Sequence, residues 1–94
     1  MSPDSSNEPV DVRLTADEAL VLFDLLSRWT EGADVARPTP EMFETSAEPI
    51  ALVGLLSQLQ KQLVAPFERD FAEQVDRARA RLMASYGEDF QLGA

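Results

Sequence analysis

The side chains of this chain that could do chemistry are its carboxylates. Seventeen Asp and Glu stand against eight Lys and Arg, and there is no His and no Cys. Without imidazole, the commonest general base, the commonest zinc ligand and the usual nucleophile triads are excluded. Without thiols, so are disulfides and thiolate metal sites. Paired acids can still move protons or cleave glycosides. Here Asp17, Glu18, Asp24 and Glu31 fall on one predicted helix, and Glu41, Glu44 and Glu48 follow in the next segment. Their spacing selects no catalytic pair and reads as helix caps and a solvated face. No D-x-D-x-D-G loop offers a calcium site. The glycines Gly32, Gly54, Gly87 and Gly93 are isolated and make no phosphate loop. The expectation is a protein that is not an enzyme, with no catalytic residue, no metal and no cofactor.

The charge map says more. The formal net charge is -9, and it is unevenly spread. Residues 1–50 hold eleven acids against Arg13, Arg28 and Arg37, whereas residues 51–94 hold six against five bases. Such a polyanion repels nucleic acid and anionic membrane surfaces and attracts cationic proteins. Arg77, Arg79 and Arg81 do not reverse this, because Glu73 precedes Arg77 by four residues and Asp76 precedes Arg79 by three. Leu20 stands out within the acidic half. It projects away from the main apolar stripe of its helix, and its helical neighbours are Asp17, Asp24 and Ser27. An apolar residue ringed by acids reads as a small binding patch; the competing reading packs it beneath the N-terminal arm. The candidate partner-binding residues are therefore Asp17, Leu20, Asp24 and Glu31 on the first helix, with Glu41 and Glu44 after it.

Three helices must position these residues. Thr15-Ala16-Asp17-Glu18 is a capping box, and Gly32 is a natural stop, so the first helix runs between them. Ala19, Leu22, Leu25, Leu26 and Trp29 form its core stripe. A second helix is predicted from Ala47 or Glu48 to Val64, with Pro49 in its first turn and Pro66 beyond its end. Leu52, Val53, Leu56, Leu59, Leu63 and Val64 share its apolar face, and Gln60 points into that arc. A third helix is predicted from Asp70, capped by Asp70-Phe71-Ala72-Glu73, to Gly87. Its stripe is Phe71, Val75, Ala78, Leu82 and Tyr86.

The connections are weaker signals. Residues 1–9 read as a disordered acidic tail. Val10, Val12 and Leu14 alternate with polar residues and form an extended arm lying on the helices, or an edge that pairs with another molecule. In the linker 33–46, Thr39-Pro40-Glu41 opens a short turn through Glu44, with Met42 and Phe43 plugging the space between the long helices. Residues 88–94 form a tail in which Phe90 and Leu92 dock back or fray. The fold class expected is all-α: a single domain over residues 10–87, built as a three-helix antiparallel bundle with an extended arm and a short extra helix in the linker.

Three blocks carry a resemblance. They are Glu18-Ala19-Leu20-Val21-Leu22-Phe23-Asp24 continuing to Leu26-Ser27-Arg28, then Leu59-Gln60-Lys61-Gln62-Leu63-Val64 with Pro66-Phe67, then Ala78-Arg79. This pattern, across about residues 10–83, resembles a group of small bacterial proteins of unassigned function. The resemblance implies a helical fold and a bacterial source, and it carries no activity with it.

The function expected on these grounds is a non-catalytic acidic protein-binding module, an immunity protein or antitoxin that occludes the basic active site of a partner toxin. The alternative is a small assembly subunit that self-associates as a homodimer through Val10, Val12 and Leu14 or through spare positions such as Ile50 and Leu55. The polar start lacks a signal peptide's basic and apolar regions, and the longest apolar run, Ala19 to Leu26, is broken by Asp24. A cytoplasmic location is the resulting expectation.

Overall fold

A computed structural model describes residues 8–32 and 36–93. The sequence reading of residues 1–7, of 33–35 within the linker and of the last residue lies outside this range. The described chain is all-α and bundle-like. Helix α1 spans Ala16–Glu31, α2 spans Ala47–Gln62 and α3 spans Phe71–Tyr86; two 3-10 turns, Pro40–Met42 and Ala65–Phe67, precede α2 and α3. No strand occurs among the described residues.

Local signals set these boundaries. The Thr15 hydroxyl accepts the Glu18 N–H at 3.1 Å, and the Glu18 carboxylate accepts the Thr15 N–H at 2.9 Å. Both halves of the capping box are thus formed, and two N-terminal amides gain acceptors. α2 begins just before Pro49, where proline costs no helical hydrogen bond. α3 ends at Gly87, whose φ of 103° is open to glycine and strained for other residues. Its other end departs from expectation. Asp70 makes no side-chain cap, because its carboxylate instead accepts the Gln74 amide at 2.7 Å.

α1 is the shared element, with α2 and α3 packed on two of its sides. Toward α2, Ala19 and Leu26 meet Leu56 and Leu59, with Leu14, Leu22, Trp29, Leu52 and Leu63 around them. Leu26 and Trp29 lie near Pro49 and Leu52, whereas Ala16 and Ala19 lie near Leu59 and Gln62. That order makes α1 and α2 antiparallel. Toward α3, Asp17 meets Arg81 and Phe23 meets Phe71, which is antiparallel as well. α2 and α3 therefore run in the same sense on either side of α1.

The arm forms no strand. Residues 9–14 are extended, and with α1 and α2 they border an open groove. Leu14 is the arm residue that packs on the core, while Val10 and Val12 remain exposed.

Several predicted core residues lie outside it. Val53, Val64 and Tyr86 are exposed. Val53 sits at the margin of the α2 stripe, Val64 lies past the helix end, and Tyr86 is in the last turn of α3, where its ring meets Phe90 edge-on at 5.7 Å. Gln60 is also exposed, since α2 is covered on one side only. Met42 faces solvent, while Phe43 is half-buried beside Trp29 and Leu52. Leu92 is almost fully exposed, and Phe90, also exposed, pairs with the Tyr86 ring.

Candidate docking surface

The six acidic and apolar residues singled out in the sequence separate into two groups. Asp17, Leu20 and Asp24 lie together on α1, on the face that α3 covers. Leu20 is 8% exposed. It is not the solvent-facing patch that its acidic neighbours suggest, and the arm does not cover it either: the ion pairs to α3 bracket it on both sides. Arg81 grips Asp17 through two hydrogen bonds of 2.8 and 2.7 Å. Asp24 is shared by Arg79 at 2.6 Å and Arg28 at 2.9 Å. On the same α3, Val75 and Ala78 are fully buried, and Phe23 meets the Phe71 ring edge-on at 5.8 Å.

The chemistry of this face follows from its geometry. The Arg81 guanidinium holds the Asp17 carboxyl below the usual carboxylate range, and Asp17 raises Arg81 in return. A carboxylate engaged by a bidentate arginine is committed to that partner. The acids at positions 17 and 24 therefore serve the α1–α3 contact. Sequence spacing anticipated Arg77 near Glu73, found at 3.9 Å, and Arg79 near Asp76, found at 2.8 Å. It missed the pairs of Arg79 and Arg81 with α1. The available signal was three arginines on α3 facing a helix with an apolar residue between two aspartates.

Glu31, Glu41 and Glu44 form the second group, and all three are exposed. They come from the segments around a small apolar pocket of about 240 Å³ at the C-terminal end of α1. Leu26, Trp29, Phe43, Pro49, Leu52 and Val53 supply its apolar walls, and Thr30, Arg37 and Pro38 complete it. Glu31 directly follows Thr30, Glu44 directly follows Phe43, and Glu41 precedes Phe43 by two residues. The Glu41 carboxyl is held below its ordinary range by its own backbone N–H and by the Thr39 hydroxyl, so it stays charged as pH falls. The Glu44 N–H donates to the Glu48 carboxylate at 3.0 Å, which ties the segment to the first turn of α2. Arg37 is engaged by the Gly32 carbonyl. The pocket is thus an aromatic recess whose one charged lining residue is Arg37, with Glu31, Glu41 and Glu44 in the adjoining segments.

Among the described residues, no group of three acidic side chains could hold a metal ion, and no helix is long and apolar enough to cross a membrane. No family model, no curated protein and no solved structure matches the chain.

Proposed function

We propose that the chain is a non-catalytic protein-binding module that docks a cationic partner at the pocket between α1 and α2. The observation that carries this reading is the Trp29–Phe43 recess, built from segments that also carry the exposed Glu31, Glu41 and Glu44. An interface of this form takes an apolar anchor in its centre and basic side chains at its rim. The anchor slows dissociation, and the rim speeds encounter. The net charge of -9 extends that attraction beyond contact distance. A small acidic domain acting in this way fits an immunity protein or antitoxin, which would occlude the basic active site of a toxin. In this proposal Glu31, Glu41 and Glu44 face the partner, while Asp17, Leu20 and Asp24 hold α3 in place.

The test is affinity capture on the immobilised chain at low and high salt, with Phe43→Asp and the pair Glu41→Lys, Glu44→Lys alongside. The expected result is a basic protein retained by the wild type, released by salt and lost on both variants while helicity is unchanged. A captured protein that binds both variants as well as the wild type would overturn the reading.

A further inference from the structure

The extended arm holds bonding capacity that the rest of the fold does not use. From Val10 to Leu14, no backbone N–H or C=O pairs with another described residue. The arm is exposed as far as Arg13, and Leu14 anchors it to the core. Extended backbone in this condition is a strand edge, and its row of open donors and acceptors is a template for a second strand.

Space for that strand lies beside it. The arm, α1 and α2 border an open groove of about 950 Å³. Ala19 and Leu22 from α1, with Leu55, Leu59 and Leu63 from α2 and its end, supply an apolar wall. Gln58 and Gln62, one turn apart on α2, add amide donors and acceptors to the lining. A strand laid along the arm turns alternate side chains toward this wall and the others toward solvent. The inward set must therefore be apolar.

Charge selects the outward set. Asp11 is the one charged residue of the lining, and Arg13 is not part of it. Unlike Asp17 and Asp24, Asp11 forms no ion pair with another described residue. Glu8 stands exposed just before the arm, and residues 1–50 carry eleven acids against three bases. A basic strand is drawn into this field. An acidic one is repelled by it, and so is a second copy of this chain with its own -9.

We infer that the groove between the arm and α2 docks an extended segment of a cationic protein, in which apolar and basic residues alternate, by adding it as a strand to residues 10–14. Main-chain hydrogen bonds to the arm supply affinity, while the apolar wall and Asp11 select the sequence. The groove lies at the N-terminal end of α1 and the Trp29–Phe43 pocket at its C-terminal end, so the two contacts stand or fall separately.

A capped peptide of alternating valine and lysine, titrated into the isotope-labelled full chain and followed by NMR, tests this. The amides of residues 10–14 and of Leu55, Leu59 and Leu63 should shift together. Two further peptides carry N-methyl groups on alternate residues, in opposite phases. A strand pairs through one edge, so one phase should bind about tenfold more weakly or worse, and the other like the parent. The valine–glutamate counterpart should bind more weakly than the parent, and the parent should bind more weakly to Asp11→Lys. Phe43→Asp should bind it like the wild type. Equal binding by the parent and both methylated peptides would overturn the inference, because charge alone would then hold the peptide. No shift at residues 10–14 would overturn it too. So would tighter binding by a peptide of residues 8–15, which would make a second copy the occupant.

Discussion

The two sides of α1 are built differently. Toward α2 the contact is aliphatic, with Leu26, Leu56 and Leu59 in its buried centre. Toward α3 the buried centre is small, formed by Leu20, Val75 and Ala78, and it is fenced by Asp17–Arg81 and Asp24–Arg79. The first contact derives its strength from apolar area and has no titratable group in its buried centre. The second derives its geometry from charge: bidentate pairing fixes the register of α3, and alanine at position 78 lets the helices approach. A single helix can therefore present one face that looks like a core and another that looks like a surface, and bury both.

Breaking the aliphatic side should have the largest effect. Leu56→Ala removes a 4% exposed side chain and should cost about 2–5 kcal/mol in denaturant unfolding. A smaller loss than that would mean the α2 contact is not the main source of stability. On the other side, Ala78→Leu forces a larger side chain into a position with no exposed area. It should cost about 1–3 kcal/mol by overpacking, measured as a lowered unfolding midpoint. Thr15→Ala acts on both sides at once, since it loosens the start of α1. Loss of one cap should cost about 1 kcal/mol, and an unchanged midpoint would show that the capping box adds nothing.

The smallest effect sharpens the contrast through pH. The folded-state pKa of Asp17 is depressed, so its contribution is present above the unfolded value of about 3.9 and is lost as pH falls through the lower folded value. Asp17→Asn should therefore differ in stability from the wild type at neutral pH, and the difference should shrink below about pH 4. The comparison between Leu56→Ala and the wild type should show no such convergence. Parallel pH profiles for Asp17→Asn and the wild type would remove the distinction between the two contacts.

The helices were legible in the sequence because their signals are local. Thr15 and Glu18, Pro49, Pro66 and Gly87 act within a turn of where they stand, and each marks an element boundary in the structure. The stripe of α1 toward α2 was legible for the same reason. The role of Leu20 was not. Its acidic neighbours read as a solvated face because their partners, Arg79 and Arg81, lie more than fifty residues away. Local charge patterning cannot distinguish a carboxylate in water from one reserved for a distant guanidinium. Gln60, Val53 and Tyr86 erred the other way: periodicity places them near an apolar arc but does not say how wide the covered arc is. Of the acidic docking residues, Glu31, Glu41 and Glu44 lie in segments that also line one pocket, which spacing alone could not reveal.

The Asp17–Arg81 pair joins residues 64 apart in the chain, and that separation sets an order of assembly. α1 and α2 can meet across the shorter span from Leu26 to Leu52, whereas α3 must close a much longer loop onto the far side of α1. Loop-closure entropy grows with the segment enclosed, and long-range contacts form late. The α1–α2 hairpin should therefore be the earlier cooperative unit, with α3 the segment that docks last and opens first. Amide exchange in native conditions should be faster across Phe71–Tyr86 than at Leu26 and Leu56.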